Sequence, residues 1–205
     1  DVDLLRELAR LYDGPVADNA KALAAWKRLL EAKDGDEEAL AALERLHGAG
    51  EDPRALAEIL LSRAEPATDD DAKVAIFKRA SAIYEELVED MVEAAAAMER
   101  ARQVAPSDRN ALHELERLYD RIGDDAKVAD VLAADAELVE ETAARADVLA
   151  KLGRVNNKLG REEQAVAAYA EVARLVPDHN LAKAGLEGLL DSDEAGLSAA
   201  SALEP

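Results

Sequence analysis

One short phrase recurs along this chain, and its period dictates the architecture more than any other feature. Leu5-Arg6-Glu7-Leu8-Ala9-Arg10-Leu11-Tyr12-Asp13 returns as Leu112-His113-Glu114-Leu115-Glu116-Arg117-Leu118-Tyr119-Asp120, with seven of the nine positions identical. A third copy is Leu40-Ala41-Ala42-Leu43-Glu44-Arg45-Leu46-His47, and looser versions begin at Phe77 and Leu149. The anchors at 5, 40, 77, 112 and 149 are therefore separated by 35 or 37 residues. Repetition at such a period means stacked supersecondary units, none of which can bury its apolar face alone.

Within each unit the apolar residues fall at i, i+3 and i+6 or i+7, a helical rather than an alternating period. A second helical phrase follows after a short turn. Its first small apolar position is Ala22, Leu56, Ala94, Val128 or Ala165, 16 or 17 residues after the anchor. Four residues further on stand Trp26, Leu60, Met98, Leu132 and Tyr169, on the same helix face. Gly14-Pro15, Gly48 to Gly50, Gly123 and Gly160 read as stops after first helices, and Pro106 and Pro177 as stops after second ones. Each unit is expected to be a helix–turn–helix of about 36 residues.

The run Leu152-Gly153, Gly160, Ala165, Tyr169, Pro177 resembles the tetratricopeptide repeat (TPR), whose signature places Leu-Gly, Gly, Ala, an aromatic residue and Pro at those intervals. The fourth unit matches through Leu112, Leu115, Tyr119, Gly123, Val128 and Leu132, although no unit carries Trp at the first anchor. The resemblance covers about residues 3–190 and implies an all-α fold, a right-handed α-solenoid of about five TPR-like repeats plus a terminal helix. A single domain over 1–190 is expected, with units 2–36, 37–73, 74–108, 109–145 and 146–179 and a final helix over 180–190. Residues 191–205 read as a tail or the start of a further unit. Because the chain begins at Asp1 rather than Met, it is read as a fragment.

Composition narrows the function classes. Alanine fills 46 positions and aromatics only 3%, which suits helices in close approach. The 45 Asp+Glu against 25 Lys+Arg give a net charge of −20, opposite to a phosphate-coating surface, so nucleic acid is not an expected partner. No apolar stretch approaches the ~18 residues of a membrane span, and no direct membrane insertion is expected. The absence of cysteine excludes a disulfide scaffold, a thiol nucleophile and a Cys-ligated metal, and leaves the compartment undecided.

In the TPR superhelix, first-helix positions 2, 5, 6, 9, 12 and 13 line a concave groove. With the anchor as position 4, position 9 is Arg10, Arg45, Ala82, Arg117 and Arg154. All such positions together carry ten basic and nine acidic residues, while the rest of the chain carries 15 basic against 36 acidic. The resemblance thus implies a partner-binding surface at Arg10, Arg45, Lys78, Arg79, Arg117, Arg121, Lys151, Arg154 and Lys158. Guanidinium forks there would receive an acidic segment of a protein or peptide. The competing reading is that these arginines satisfy the protein's own acids. Glu7 and Asp13 flank Arg10, and Glu114 and Asp120 flank Arg117, at ion-pair spacing on one helix. Arg154 escapes that objection best, since Asp147 alone is acidic among its unit's inner positions while Lys151 and Lys158 add charge. The paired lysines and asparagines of the carboxylate clamp that some TPR proteins use for chaperone tails are not reproduced.

The acidic clusters Asp36-Glu37-Glu38, Glu51-Asp52, Asp69-Asp70-Asp71, Asp124-Asp125 and Glu162-Glu163 each stand where a helix should start, where free amides and the helix dipole favour them. None has the ligand order of a calcium loop. His47, His113 and His179 fall at different places in their units, and no phosphate loop, zinc-helix motif or nucleophile elbow occurs. No enzyme, metal or cofactor is expected. The expected function is a protein–protein interaction scaffold, and the resemblance class includes assembly factors of bacterial secretion, pilus and motility machinery. A structural spacer or self-associating solenoid, or a regulatory segment of a larger protein, are the alternatives, and the oligomeric state stays open.

Overall fold

The computed structural model describes residues 1–33, 36–48 and 52–203, with 47 and 48 described by their backbone alone. Part of the expected stop at Gly48 to Gly50, the acid Glu51 and the side chain of His47 therefore lie outside the described residues. The elements in chain order are α1 (Val2–Asp13), α2 (Asn19–Ala32), α3 (Glu37–Gly48), α4 (Pro53–Ala64), α5 (Asp70–Glu86) and α6 (Met91–Val104). They continue as α7 (Arg109–Ile122), α8 (Asp125–Leu138), α9 (Thr142–Lys158), α10 (Glu162–Leu175), α11 (Asn180–Glu187) and α12 (Gly196–Leu203). The fold is all-α, built of TPR-like helical hairpins: α1/α2, α3/α4, α5/α6, α7/α8 and α9/α10.

These helices divide into two compact units, Asp1–Pro106 and Ser107–Pro205. In the first, each helix from α1 to α5 packs on its successor. In the second, the same holds from α7 to α10, and α12 closes onto both α10 and α11.

The recurrent phrase is the core. Among the anchors Leu40, Phe77, Leu112 and Leu149 are buried, and Leu5 packs at the edge of its cluster. The small second-helix positions Ala22, Leu56, Ala94, Val128 and Ala165 are all buried, as are Trp26, Leu60, Met98, Leu132 and Tyr169. Alanine at the first set lets the paired helices approach, and the larger residue one turn on fills the space between them. In the second unit this reaches a limit at Tyr169. A Cβ on Gly153 of α9 would lie 2.6 Å from its ring, and a Cβ on Gly185 of α11 only 2.4 Å, so both helices need glycine where the ring passes.

Helix starts are set by aspartate. Asp1, Asp18, Asp52, Asp69, Asp90, Asp108 and Asp124 are N-caps whose carboxylates accept backbone N–H bonds from the first turn. This local role accounts for much of the acidity at helix boundaries.

The hairpin turns come in two lengths. In α7/α8 and α9/α10 a glycine at positive φ, Gly123 or Gly160, makes the reversal, and the cap N–H of residue 124 or 161 bonds back to Tyr119 or Asn156. In α1/α2 and α5/α6 one more residue is inserted, and Ala17 and Glu89 take the positive φ instead. That insertion is the physical origin of the 17-residue rather than 16-residue spacing in those units.

Three boundaries differ from the sequence reading. α5 and α9 begin at Asp70 and Thr142, a turn before the expected 74 and 146. α11 stops at Glu187, short of the expected 190, and residues 196–203 form α12, which packs on α11.

Candidate functional site

The first helices of the hairpins carry the nine basic residues singled out from the sequence, and most of these reach across to a neighbouring repeat. On α1, Arg10 donates from Nε and Nη2 to the two carboxylate oxygens of Glu38 at the start of α3, at 2.6 and 2.8 Å. In the opposite direction, Arg45 of α3 bonds Asp13 at the end of α1. Asp13 is held from its other side by the Trp26 indole N–H, at 3.1 Å. Arg10 and Arg45 thus flank one open cavity of about 570 Å³ between α1 and α3, with Trp26 in its lining and Ala41 and Ala42 as a shallow wall.

Beside it, the Asp36 carboxylate is buried at 4% exposure, accepting from Arg6 at 2.8 Å, Lys33 at 3.0 Å and the Ala39 N–H at 3.1 Å. Burial pushes this carboxyl up, but the bonds from Lys33, Arg6 and Ala39 outweigh it and bring it from 3.8 to about 2. Arg10 likewise holds the Glu38 carboxyl below its ordinary value. Further along the first unit, Arg79 of α5 and Arg63 of α4 converge on Glu44 of α3. Lys78 has an interaction of its own as well.

In the second unit, Lys151 of α9 donates to Glu116 of α7 at 2.9 Å, and Lys158 donates to Asp125 of α8 at 2.7 Å. Arg117 pairs within its helix, with Glu114 at 2.7 Å, as the spacing suggests, and Arg121 also has a partner. Arg154 is different. It is exposed, stands three residues after Lys151 and four before Lys158 on one face of α9, and has no carboxylate partner among the described residues. The structure therefore brings Arg10 and Arg45 to one cavity and Lys151, Arg154 and Lys158 to one helix face.

Sequence reasoning missed a further polar cluster. Asp135 of α8 sits among apolar residues at 2% exposure and accepts from Arg109 of α7, Nε at 2.6 Å and Nη2 at 3.1 Å. His113 approaches the same carboxylate at 3.3 Å. Burial pushes the Asp135 carboxyl up, and the Arg109 fork and His113 reverse that, leaving it below its ordinary value. The available signal was an aspartate inside the apolar face of a second helix, between Leu132 and Ala136. His179 is the N-cap of α11, accepting the Ala182 N–H. Among the described residues, no group of three or more His, Asp or Glu is placed to hold a metal ion. No described helix is long and apolar enough to cross a membrane.

No protein-family model matches the chain, and no curated protein does. Among solved structures the chain is similar to the crystal structure of MamA protein, at 16% identity and a TM-score of 0.41, covering 85% of this chain and 91% of that one. It is also similar to the crystal structure of YrrB, described as a TPR protein with an unusual peptide-binding site. That match has 18% identity and a TM-score of 0.41, and covers 91% of this chain and 92% of YrrB.

Proposed function

We propose that this chain is a non-enzymatic scaffold for protein–protein interaction, receiving an acidic segment of a partner on the first-helix face of its second unit, within a bacterial multiprotein assembly. The observation that carries the reading is the state of Arg154: an exposed guanidinium with no carboxylate partner among the described residues, between two lysines on the same helix face. A planar fork of donors with no carboxylate acceptor among the described residues matches a carboxylate from outside, and Lys151 and Lys158, each bonded to a neighbouring helix, flank it on the same face. On the first unit, the cavity between α1 and α3 offers a second contact region, where Arg10 and Arg45 must exchange an internal partner for an external one, as must Lys78 and Arg79 on α5. The negative remainder of the surface discourages unselective contacts.

A second reading has its own observation. Arg10, Arg45, Arg79, Lys151 and Lys158 all form ion pairs that join repeats. A spacer would need such staples and no groove. Affinity capture from source-organism lysate separates the two, with the natural chain and the Lys151→Glu, Arg154→Glu, Lys158→Glu variant as parallel baits. A partner retained by the first and lost by the second is expected; no partner for either leaves the spacer, and equal capture by both places the contact elsewhere.

A further inference from the structure

Helix α12 consists of small residues between two leucines, Leu197 and Leu203, and only Gly196 and Ala199 of it are buried. Side chains this small cannot fill the space between α12 and the two helices it closes onto. A cavity of about 690 Å³ remains there, with an aliphatic floor drawn from α10 (Ala170, Ala173), α11 (Ala182, Leu186) and α12 (Ala202, Leu203). One junction earlier the same problem is solved by Tyr169, which occupies the gap left by Gly153 and Gly185. Here nothing equivalent is present.

Polar groups stand at the rim. His179 is already committed: Nδ1 accepts the Ala182 N–H at 3.4 Å, which assigns the proton to Nε2, 3.2 Å from Asp147 Oδ1. Arg174 bonds Glu171 one turn back on α10, leaving the other donors of its fork unused by that bond. Lys183 is exposed and has no ion-pair or hydrogen-bond partner among the described residues. Asp178 and Ser201 complete the rim.

Apolar walls with a few polar groups at one side, in a volume of roughly 300–1,000 Å³, are the form of a small-molecule site. The floor has no side-chain donor or acceptor to satisfy a peptide main chain, whereas an aliphatic chain asks only for contact. At the rim Lys183 and Arg174 outnumber Asp178, and Lys183 has no ion-pair partner among the described residues, which favours an anionic head group. We propose that the α10–α11–α12 cavity binds a monoanionic aliphatic molecule, an acyl carboxylate, with its chain over Ala173, Ala182 and Leu186 and its carboxylate at Lys183 and Arg174.

Decanoate is the probe, titrated into the full chain and followed by amide chemical shifts and calorimetry. Saturable binding is expected, with shifts concentrated in α10, α11 and α12. Lys183→Glu should weaken it at least tenfold, decylammonium should bind at least tenfold more weakly, and Ala173→Leu should weaken decanoate by filling the cavity. Circular dichroism checks that each variant stays helical, and Ala202→Leu replaces Ala173→Leu if the latter does not fold. Absence of saturable binding, equal binding of decylammonium, or binding unchanged in both Lys183→Glu and the cavity-filled variant would overturn the proposal. So would an acidic peptide that displaces decanoate and binds more tightly. Because Lys151, Arg154 and Lys158 lie outside this cavity, their triple variant should bind decanoate normally, which keeps this test separate from that of the scaffold.

Discussion

Arg10 on α1 and Glu38 on α3 share a two-bond fork although 28 residues separate them, and this is the register at which the chain's charges pair. Arg45 with Asp13, Arg54 with Asp90, Arg79 with Glu44 and Lys151 with Glu116 likewise join residues 32 to 36 apart. Charge in this protein is organised between repeats more than along helices. Because Arg10 and Glu38 are exposed, their attraction is screened by water and salt. A double-mutant cycle with Arg10→Ala and Glu38→Ala should therefore give a small coupling energy that fades as salt is raised, measured by urea unfolding.

Asp36 should contribute acid sensitivity. Its carboxyl lies at about 2 in the folded chain against an ordinary 3.8, so the folded state holds the charged form more tightly than the unfolded state does. That stability is fully present above about pH 4 and is lost as pH falls toward 2. Urea unfolding across that window should show the loss in the natural chain and a flatter profile in Asp36→Asn.

The Asp135–Arg109 pair should respond asymmetrically. Removing Arg109 leaves a carboxylate at 2% exposure with only the half-exposed His113 ring, 3.3 Å away, against it, whereas removing Asp135 leaves an arginine whose head can turn to water. Arg109→Met is expected to cost about 2 kcal/mol or more at neutral pH, and Asp135→Leu distinctly less. Equal losses in chemical denaturation would count against the burial argument.

Gly153→Ala should be costly despite its small size, because the added methyl meets the Tyr169 ring at 2.6 Å, well inside contact distance. Overpacking of this kind costs roughly 1–3 kcal/mol. The double variant Gly153→Ala, Tyr169→Leu should recover part of that loss in a thermal melt, since a narrower side chain gives the methyl room.

Much of this fold was legible in the sequence, for one physical reason. Every second-helix position read as core, from Ala22 and Trp26 to Ala165 and Tyr169, is buried, because burial in a helical hairpin follows the apolar period directly. Two features were hidden. Residues 191–205 read as a tail or the start of a further unit, and α12 is not legible there because Gly196 to Ala202 has small residues and almost no apolar period. The inter-repeat ion pairs are not legible from helical spacing, which shows only neighbours three or four residues away, whereas Glu38 reaches Arg10 from the next repeat. The nine candidate contact residues rest on the resemblance, and exposure without a carboxylate partner among the described residues distinguishes Arg154 from the others.

The most direct measurement is site-specific photo-crosslinking in cells of the source organism. A photoreactive residue would replace Arg154 on α9 in one strain and Glu137, exposed on α8, in another, with adducts identified by mass spectrometry. A discrete partner captured from position 154, through an acidic segment, and not from 137 is the expected result. Capture from 137 alone, or from neither position, would contradict a binding surface on the first-helix face.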